Sequence, residues 1–239
     1  KGIGRGIAMA LAEAGADLVV ASRNEKDLQE TADLITSIGK KCLVVSTDVT
    51  KKDQLENLAL QTINEFGVIN IWVNNAGGLP DATPRYMTKT SEEQFDAQID
   101  LNLKAVWSGC VIASNHMQEN GGSIVNVSSR TSKNMQPNIK NGPYGAAKSA
   151  VNSLTASFSL ELGPKIRVNA IAPGPIPTEN FNQSLNLSNQ EEIESLTKML
   201  NIPLKRLGVV EDIGSAVVFM ASPASSWITG QCLFVDGGS

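Results

Sequence analysis

Histidine is almost absent from this chain of 239 residues, in which His116 is the single one. A Ser-His-Asp triad needs an imidazole base, and zinc sites usually need several His or Cys ligands. The three cysteines, Cys42, Cys110 and Cys232, lie far apart in the sequence. Their spacing argues against a disulfide framework or a metal site and favours a reducing cytoplasm. We expect His116 to be a surface or capping residue without a catalytic role.

Long apolar runs and concentrated positive charge are also missing. No apolar stretch approaches the roughly 18 residues of a membrane-spanning helix. The net charge is −4 and the basic residues are scattered, whereas nucleic-acid binding requires a concentrated positive patch. We therefore expect neither a membrane nor a nucleic-acid partner, and no signal peptide is visible. The hydrophobic content of 41% suits one α/β domain over residues 1–239 with a full core.

Short apolar runs alternate with longer amphipathic runs along the chain. The predicted strands are Leu18–Ser22, Cys42–Ser46, Ile69–Asn74, Ser123–Val127, Ile166–Ile171 and Cys232–Val235. The predicted helices cover about 24–38, 51–66, 91–119, 143–162 and 209–221. Asn24 and Thr50 stand at N-cap positions, and Gly39, Gly67 and Gly163 stand where helices should end. This alternation predicts βαβ units, and hence a doubly wound parallel sheet with helices on both faces.

The segment from Pro173 to about Pro203 interrupts this rhythm. It is rich in Pro, Asn and Ser and then weakly helical. Long insertions in a compact fold are usually lids or binding loops. We expect residues 175–203 to form a substrate lid, with Ile193, Leu196, Met199 and Leu200 as its apolar inner face. The alternatives are a surface loop without a role, or docking of these four side chains on the core.

The first residues read Lys1-Gly2-Ile3-Gly4 and open a helix that runs to about Ala14. Glycines at a helix start let backbone N–H groups approach a pyrophosphate. The spacing differs from the usual G-x-G-x-x-G fingerprint, so this feature alone is weak. Such a turn normally follows a strand. We therefore expect the natural chain to have a further strand before Lys1, at the centre of the sheet.

Five short motifs follow predicted strands or open a helix. They are Asn74-Asn75-Ala76-Gly77, Ser128-Ser129, Tyr144-Gly-Ala-Ala-Lys148, Pro173-Gly174 and Asp236-Gly237-Gly238. In this order and spacing, over essentially the whole chain, they resemble the classical short-chain dehydrogenases/reductases. The glycine-rich start matches the second half of that family's Thr-Gly-x-x-x-Gly-x-Gly motif. The resemblance implies a Rossmann-like fold and hydride transfer between a nicotinamide cofactor and a carbonyl or alcohol.

Tyr144 and Lys148 lie one helical turn apart and share a helix face. A free tyrosine has a pKa near about 10, which is too high for efficient acid-base work at neutral pH. A neighbouring ammonium favours the phenolate and should lower that pKa. We therefore predict that Tyr144 is the catalytic acid-base group and that Lys148 tunes it. By resemblance, Lys148 also binds the nicotinamide ribose.

Two further catalytic residues follow from the resemblance. Ser129 matches the family's catalytic serine, which holds the substrate oxygen. Ser128 is the alternative by one position, because the loop to Tyr144 is about two residues longer than is usual in the family. Asn102 matches the asparagine that holds a water molecule in the proton relay. From the residue type alone, Asn102 would be a structural polar group in a helix.

The residues after the predicted strand Leu18–Ser22 favour NADP(H) over NAD(H). The run Ala21-Ser22-Arg23-Asn24 has no acid for a ribose 2′-hydroxyl, whereas Arg23 suits a 2′-phosphate. Lys1 would supply a second cation and Ser22 a hydroxyl. By resemblance, Asp48 contacts the adenine. The complete predicted cofactor site comprises Lys1, Gly2, Ile3, Gly4, Ser22, Arg23, Asp48, Val49, Asn75, Ala76, Gly77, Tyr144, Lys148, Pro173, Gly174, Ile176 and Thr178, with no metal.

The substrate class stays open between two enzymes. The Gly77–Gln94 loop looks about three residues longer than the family norm, which favours a bulky apolar or steroid-like ketone or alcohol. The alternative, a 3-oxoacyl thioester reductase, needs a basic face for an acidic carrier protein. Lys165, Lys205 and Arg206 are weak evidence for such a face.

A non-catalytic dinucleotide sensor is the alternative of another class. Such a protein would not need the proton relay that Asn102, Ser129, Tyr144 and Lys148 suggest. The family resemblance also implies a homotetramer, with helices 91–119 and 143–162 packed across a two-fold axis. Ala113, Ala150 and Ala156 would allow these helices to approach closely.

Overall fold

A computed structural model describes residues 1–81, 83, 85–133, 140–185 and 187–239. The described part contains six strands and nine α-helices. The strands are β1 Leu18–Ser22, β2 Cys42–Ser46, β3 Ile71–Asn74, β4 Gly122–Val127, β5 Ile166–Pro173 and β6 Cys232–Val235. The helices are α1 Gly2–Glu13, α2 Glu25–Ser37, α3 Lys52–Phe66, α4 Glu92–Ile99, α5 Ala105–Met117, α6 Gly142–Leu162, α7 Glu179–Leu185, α8 Gln190–Leu200 and α9 Val210–Ala221.

All strand pairs are parallel, as the alternating pattern predicts. β1 pairs with β2, and the other strands form a sheet of order β3-β4-β5-β6. In the described residues no strand joins the two sheets. Val45 of β2 and Ile124 of β4 nevertheless belong to one buried cluster, so both sheets share a core. The fold is the Rossmann-like α/β arrangement that the sequence predicts.

Helices cover both faces of the strands. The buried cluster on one face joins α3, α5 and α6, and the cluster on the other joins α1 and α9. Helices α1 and α9 approach closely because glycines face each other. A Cβ on Gly6 would lie 2.6 Å from Val210 Cβ, and one on Gly214 would lie 2.8 Å from Ala10 Cβ. This packing fixes the first turn of α1 at the carboxyl edge of the strands.

Most predicted boundaries hold within two residues, and the differences have local causes. The Asn24 side chain accepts a hydrogen bond from the Asp27 backbone N–H and caps α2, as predicted. Thr50 is wrong as the cap of α3, because Lys51 holds that position while Thr50 donates two bonds to Asp48. Gly67 ends α3 in the left-handed conformation, with φ of 77°.

The predicted helix over 91–119 is not one regular helix. A π-helical turn over Asp100–Lys104 separates α4 from α5. Helix α7, inside the predicted lid, was not predicted at all. In the described residues no helix is long and apolar enough to cross a membrane.

One residue of the predicted two-fold contact is misplaced. Ala113 is completely buried in the core beneath α5, so it cannot face a second subunit. Ala150 is half-buried and Ala156 is exposed on α6. Leu160 is 87% exposed on the same helix.

Candidate active site

The glycine-rich start of α1 meets two loops at the carboxyl edge of the strands. Gly2 has a φ of +58°, and a Cβ there would lie 3.5 Å from Thr178 Cγ2. A Cβ on Gly4 would lie only 2.7 Å from Asn75 Nδ2. Any larger side chain at Gly4 would displace Asn75. Predicted cofactor residues from three separate segments therefore come together around the turn at the N-terminus of α1.

The turn after β3 connects this region to the predicted catalytic residues. A Cβ on Gly77 would lie 2.9 Å from Asn102 Oδ1 and 3.0 Å from Lys148 Nζ. Only a glycine lets the backbone pass between these two side chains. Gly77 thus places Asn102 and Lys148 on either side of one peptide turn.

Asn102 is fully buried in the π-helical turn. Its Nδ2 donates to the Gly78 carbonyl at 2.9 Å, and its Oδ1 accepts from the Gly78 N–H at 2.9 Å. Nδ2 also donates to the Gln98 carbonyl and side chain. Short π-helical turns often occur at functional sites, where they redirect one side chain. Here the side chain braces the loop after β3, and a role in a proton relay stays a prediction.

Lys148 has its ammonium group inside the protein. The residue is 2% exposed, and Nζ donates to the Val127 carbonyl at 2.8 Å. Nζ also lies 5.9 Å from the centroid of the Tyr144 ring. Burial lowers the pKa of Lys148 to about 8. At neutral pH the side chain is still a cation, although it holds its proton less tightly than a free lysine does.

Tyr144 and Ser129 are joined by a side-chain hydrogen bond. Burial raises the pKa of Tyr144, and the bond with Ser129 offsets part of this effect. The pKa of Tyr144 is thus raised overall, not lowered as predicted, and Lys148 is not among the causes of the shift. Removal of the phenolate from water is the largest cause of this rise, and the Lys148 ammonium lies over the ring of Tyr144. Tyr144 consequently holds its proton at neutral pH.

The two adjacent serines have different surroundings. The Ser128 hydroxyl donates to the Lys148 carbonyl at 3.0 Å inside the core. Ser129 Oγ accepts from the Thr131 N–H at 3.2 Å and from the Thr131 hydroxyl at 3.0 Å. Of the two hydroxyls, only that of Ser129 is bonded to Tyr144 in the described residues. These contacts favour Ser129 over Ser128, and the catalytic role of Ser129 stays a prediction.

The residues predicted to bind the adenosine end of the cofactor lie near the end of β1. Arg23 is exposed, and its charge is one of the smaller causes that lower the pKa of Asp48. Hydrogen bonds from Thr50 are the main cause. Lys1 Nζ lies 3.2 Å from Glu179 Oε2 and 3.8 Å from Asp27 Oδ2. The predicted second cation is thus paired with two carboxylates.

The remaining predicted cofactor residues are less exposed. Val49 packs against the core, and Ile176 is 4% exposed beside Gly208. Gly174 approaches Asp236 so closely that a Cβ would lie 2.6 Å from its Cα. The Gly174 N–H donates to the Val235 carbonyl at 2.9 Å. These contacts fasten the base of the predicted lid to the end of β6.

The lid segment contains α7 and α8, although residue 186 lies outside the described part. Asn189 caps α8, and Asn201 ends it in the left-handed conformation. Ile193, Leu196 and Leu200 are half-buried along one face. Met199 was wrongly placed on that face, because it is 73% exposed. The inner face is formed by residues 193, 196 and 200, and residue 199 points away from it.

A cavity beside Tyr144 was not predicted from the sequence. It has a volume of about 210 Å³ and lies between the loop after β3, α4 and the start of α6. Arg85 and Asp81 line it and form an ion pair. The sequence signal that could have indicated this cavity is Arg85, which stands four residues after Asp81 in the long Gly77–Gln94 loop. His116 lies elsewhere, on a surface depression between α3 and α5, and its lack of a catalytic role stays a prediction.

Known proteins resemble this chain over its whole length. The family model described as enoyl-(acyl carrier protein) reductase matches residues 1–239. An uncharacterized oxidoreductase of Mycobacterium tuberculosis is 35% identical over 240 residues, covering 100% of this chain and 88% of the relative. A 3-oxoacyl-[acyl-carrier-protein] reductase of Chlamydia muridarum is 37% identical over 242 residues, covering 100% of this chain and 93% of the relative.

A solved structure has the same fold. It is a 7α-hydroxysteroid dehydrogenase complexed with NADH and 7-oxo glycochenodeoxycholic acid. It matches with a TM-score of 0.90 and 34% sequence identity, covering 100% of this chain and 90% of the other. The family match and these relatives agree with the motifs and with the strand order. This chain belongs to the classical short-chain dehydrogenase/reductase family of oxidoreductases.

Proposed function

We propose that the protein is an NADP(H)-dependent oxidoreductase that interconverts a ketone and a secondary alcohol. The observation that supports this best is the hydrogen bond between Tyr144 and Ser129 beside the buried ammonium of Lys148. A non-catalytic dinucleotide sensor would have no need for a protonated phenol held at this point. In this proposal residues 1–239 form one domain, with residues 175–203 as its lid.

The residues around the glycine turn fit a nicotinamide dinucleotide. The backbone of Gly2 and Gly4 would hold the pyrophosphate at the positive end of α1. Thr178 and Asn75 lie against those glycines and would complete that contact. Lys148 would bind the nicotinamide ribose across the turn at Gly77. When bound, the cofactor supplies or accepts the hydride.

The protein's own residues manage the proton and the substrate oxygen. In the reductive direction the Tyr144 hydroxyl donates its proton to the developing alkoxide. Its raised pKa keeps that proton in place until the oxygen becomes basic. Ser129 donates to the same substrate oxygen and so fixes its position. Lys148 stabilises the phenolate that remains. Asn102 keeps the turn after β3 in place through its hydrogen bonds to Gly78.

The choice of NADP(H) is supported by Arg23 and by the absence of an acid at the end of β1. The solved hydroxysteroid dehydrogenase was complexed with NADH. That complex does not decide the cofactor of this chain, which must be inferred from the local residues. An exposed guanidinium after β1 suits a 2′-phosphate, whereas a 2′-hydroxyl is better served by a carboxylate.

For the substrate we favour a bulky, steroid-like ketone or alcohol. The long loop after β3 and the apolar face of α8 support this, as does the likeness to a protein that binds an oxo bile acid. The alternative of a 3-oxoacyl thioester reductase is supported by the Chlamydia relative. Its required basic face is weak here, because Arg206 is ion-paired with Asp212.

We further propose a homotetramer in the cytoplasm. The exposed Leu160 on α6 supports a subunit contact along that helix. Light scattering at micromolar concentration should give four times the mass of one chain. A monomer would contradict this part of the proposal.

The proposed activity is tested with a panel of ketones and alcohols, read by the absorbance of NADPH and of NADH. The panel should include steroid ketones, small cyclic ketones and a 3-oxoacyl thioester. We expect turnover of a bulky ketone with NADPH. Preference for the thioester would support the alternative enzyme. Absence of turnover, with retained NADPH binding, would support the sensor.

A further inference from the structure

The loop after β3 is fastened to the start of α6 at two points. The Arg85 N–H donates to the Lys140 carbonyl at 2.8 Å, and Arg85 forms an isolated parallel bridge with Asn141. The Met87 side chain packs so closely on Gly142 that a Cβ there would displace it. Tyr144 stands in the first turn of α6. The backbone at Arg85 is therefore held beside the predicted catalytic tyrosine.

Arg85 and Tyr144 line the same cavity of about 210 Å³. The other lining residues include Gln94, Gln98 and Lys140. Among the described residues, no Leu, Ile, Val, Met or Phe side chain lines this cavity. Pro80, Ala97 and Pro143 are the apolar lining residues, and the other residues of the lining carry polar groups that can bind the polar end of a substrate.

The Arg85 guanidinium is oriented by one of its edges only. Nη1 donates to Asp81 Oδ2 and, at 3.4 Å, to the Thr83 carbonyl. Nε and Nη2 have no partner among the described residues. An arginine has five N–H donors in a planar fork, so the free edge can still bind a planar acceptor.

Asp81 is a rigid partner for this guanidinium. It accepts from the Thr83 N–H at 2.9 Å and from Gln94 Nε2 at 3.2 Å. Hydrogen bonds from Thr83 and Arg85 lower the pKa of Asp81 to about 2. The carboxylate therefore stays ionised at every pH of interest and holds Arg85 in one orientation.

We infer that Arg85 is a specificity-determining residue that binds a carboxylate of the substrate through Nε and Nη2. The substrate would then be an oxo or hydroxy acid whose reacting carbon lies at Tyr144 and whose acid group enters the adjoining cavity. Bidentate pairing of arginine with a carboxylate combines charge with fixed geometry. Lys140 is a second cation in the lining, where Glu93 is a second carboxylate beside Asp81, so binding of the acid depends on the geometry of Arg85 and not on net charge. This inference rests on the proposed function, because it places the reacting carbon at Tyr144.

The test compares oxo acids with their methyl esters, which differ only in the acid group. Two pairs are used: 4-oxocyclohexanecarboxylate and 3-oxocholan-24-oate, each with its ester. The wild-type protein should favour the acid of at least one pair. Arg85→Gln should raise KM for that acid by roughly tenfold to a hundredfold, with kcat and the ester little changed. Lys89→Gln, which removes an exposed cation from the same loop, is the matched control.

Asp81→Asn is a second, independent variant. It removes the carboxylate that holds Arg85 in one orientation, so KM for the acid should rise while the ester is little changed. If Arg85 serves only to hold the loop, Arg85→Gln will reduce acid and ester turnover by the same factor. Equal acid losses in Arg85→Gln and Lys89→Gln would show a non-specific charge effect. Either result overturns the inference.

Calorimetric titration of the same acids and esters separates this inference from the proposed function. Tighter binding of the acid by the wild-type protein, lost in Arg85→Gln, supports the carboxylate site even if no ketone is turned over. Turnover of both acid and ester at equal KM, with equal affinities, retains the oxidoreductase and rejects the role of Arg85.

Discussion

The ammonium of Lys148 lies 5.9 Å from the centre of the Tyr144 ring and donates its hydrogen bond to a backbone carbonyl, not to the phenol. The two side chains are thus neighbours without a direct bond between their polar atoms in the described structure. Each is shifted toward its neutral form by burial, since the pKa of Lys148 falls to about 8 and that of Tyr144 rises. The pKa values of Lys148 and Tyr144 are therefore set by the burial of each side chain more than by the interaction between them.

The buried ammonium should make stability depend on pH. Lys148 has a pKa of about 8 in the folded protein against 10.5 for a free lysine, which corresponds to about 3 kcal/mol. Between these values the unfolded chain keeps the proton and the folded chain does not, so stability rises with pH. The contribution is complete above 10.5 and is lost as the pH falls through about 8.

Urea unfolding of the wild-type protein and of Lys148→Met checks this expectation. Between pH 7 and pH 10 the wild type should gain about 2–3 kcal/mol relative to the variant. Comparing the two proteins cancels the titration of other groups. Parallel stability curves would mean that Lys148 is not dehydrated in solution.

Tyr144→Phe should abolish turnover while cofactor binding is retained. The variant keeps the ring beside Lys148 and removes only the proton that the reaction needs. Loss of a general acid typically costs about 10²–10⁴-fold in rate. The measurement is kcat with the best ketone of the panel, together with NADPH affinity by fluorescence. A variant with more than about a tenth of the wild-type kcat would exclude Tyr144 as the acid.

The adjacent serines provide a matched pair of variants. Ser129→Ala removes the hydrogen bond to Tyr144, and loss of one such donor typically costs about 10²–10³-fold in kcat. Ser128→Ala removes a bond to the Lys148 carbonyl and should cost about 1 kcal/mol of stability, with kcat much less affected. Steady-state kinetics and thermal unfolding separate the two effects. The reverse pattern would move the catalytic position to Ser128.

Arg23→Ala should weaken NADPH binding selectively. Loss of a charge-assisted bond to a phosphate costs about 1.5–3 kcal/mol, and NADH has no phosphate at that position. Lys26→Ala removes another exposed cation from the start of α2 and serves as the control. The dissociation constants of both cofactors are compared for each variant. Equal weakening of NADPH and NADH by Arg23→Ala would show that this residue does not recognise the 2′-phosphate.

Much of the fold could be predicted from the sequence because local patterns agree with it. The bounds of β1, β2 and β6 match the predictions residue for residue, since short runs rich in branched side chains end abruptly in polar residues. Asn24 and Gly67 mark helix ends by chemistry that is local to the backbone. The motifs around Asn75, Tyr144 and Gly174 indicated which loops meet at the strand ends.

Other features could not be predicted because they depend on contacts distant in sequence. Nothing in the run around Asn102 distinguishes a π-helical turn from a regular helix, since the turn is set by the bonds to Gly78. The direction of the Tyr144 pKa depends on burial, which no spacing reveals. The cavity next to Tyr144 depends on the pairing of Arg85 with Asn141, two residues far apart in the sequence.

The last prediction concerns the lid and uses the orientation of α8. Leu196 and Leu200 lie on the half-buried face, whereas Met199 is 73% exposed. The segment starts near Thr178, which lies against Gly2, and ends at Ile202, which is 1% exposed. Both ends are therefore anchored, and α8 between them has no fully buried residue. A helix held in this way can move over the site while its ends stay in place.

If this face closes over a bulky apolar substrate, shortening Leu196 and Leu200 to Ala should reduce kcat/KM for a steroid ketone by more than for a small cyclic ketone. Each buried methylene is worth about 0.8 kcal/mol, and only the larger substrate reaches both side chains. Met199→Ala, on the outer face of the same helix, should leave both substrates unchanged. The measurement is kcat/KM for the two ketones in the three proteins. Equal losses for both ketones, or loss of thermal stability without a change in their ratio, would mean that α8 is scaffold, because side chains that only pack against the core cannot distinguish one substrate from another.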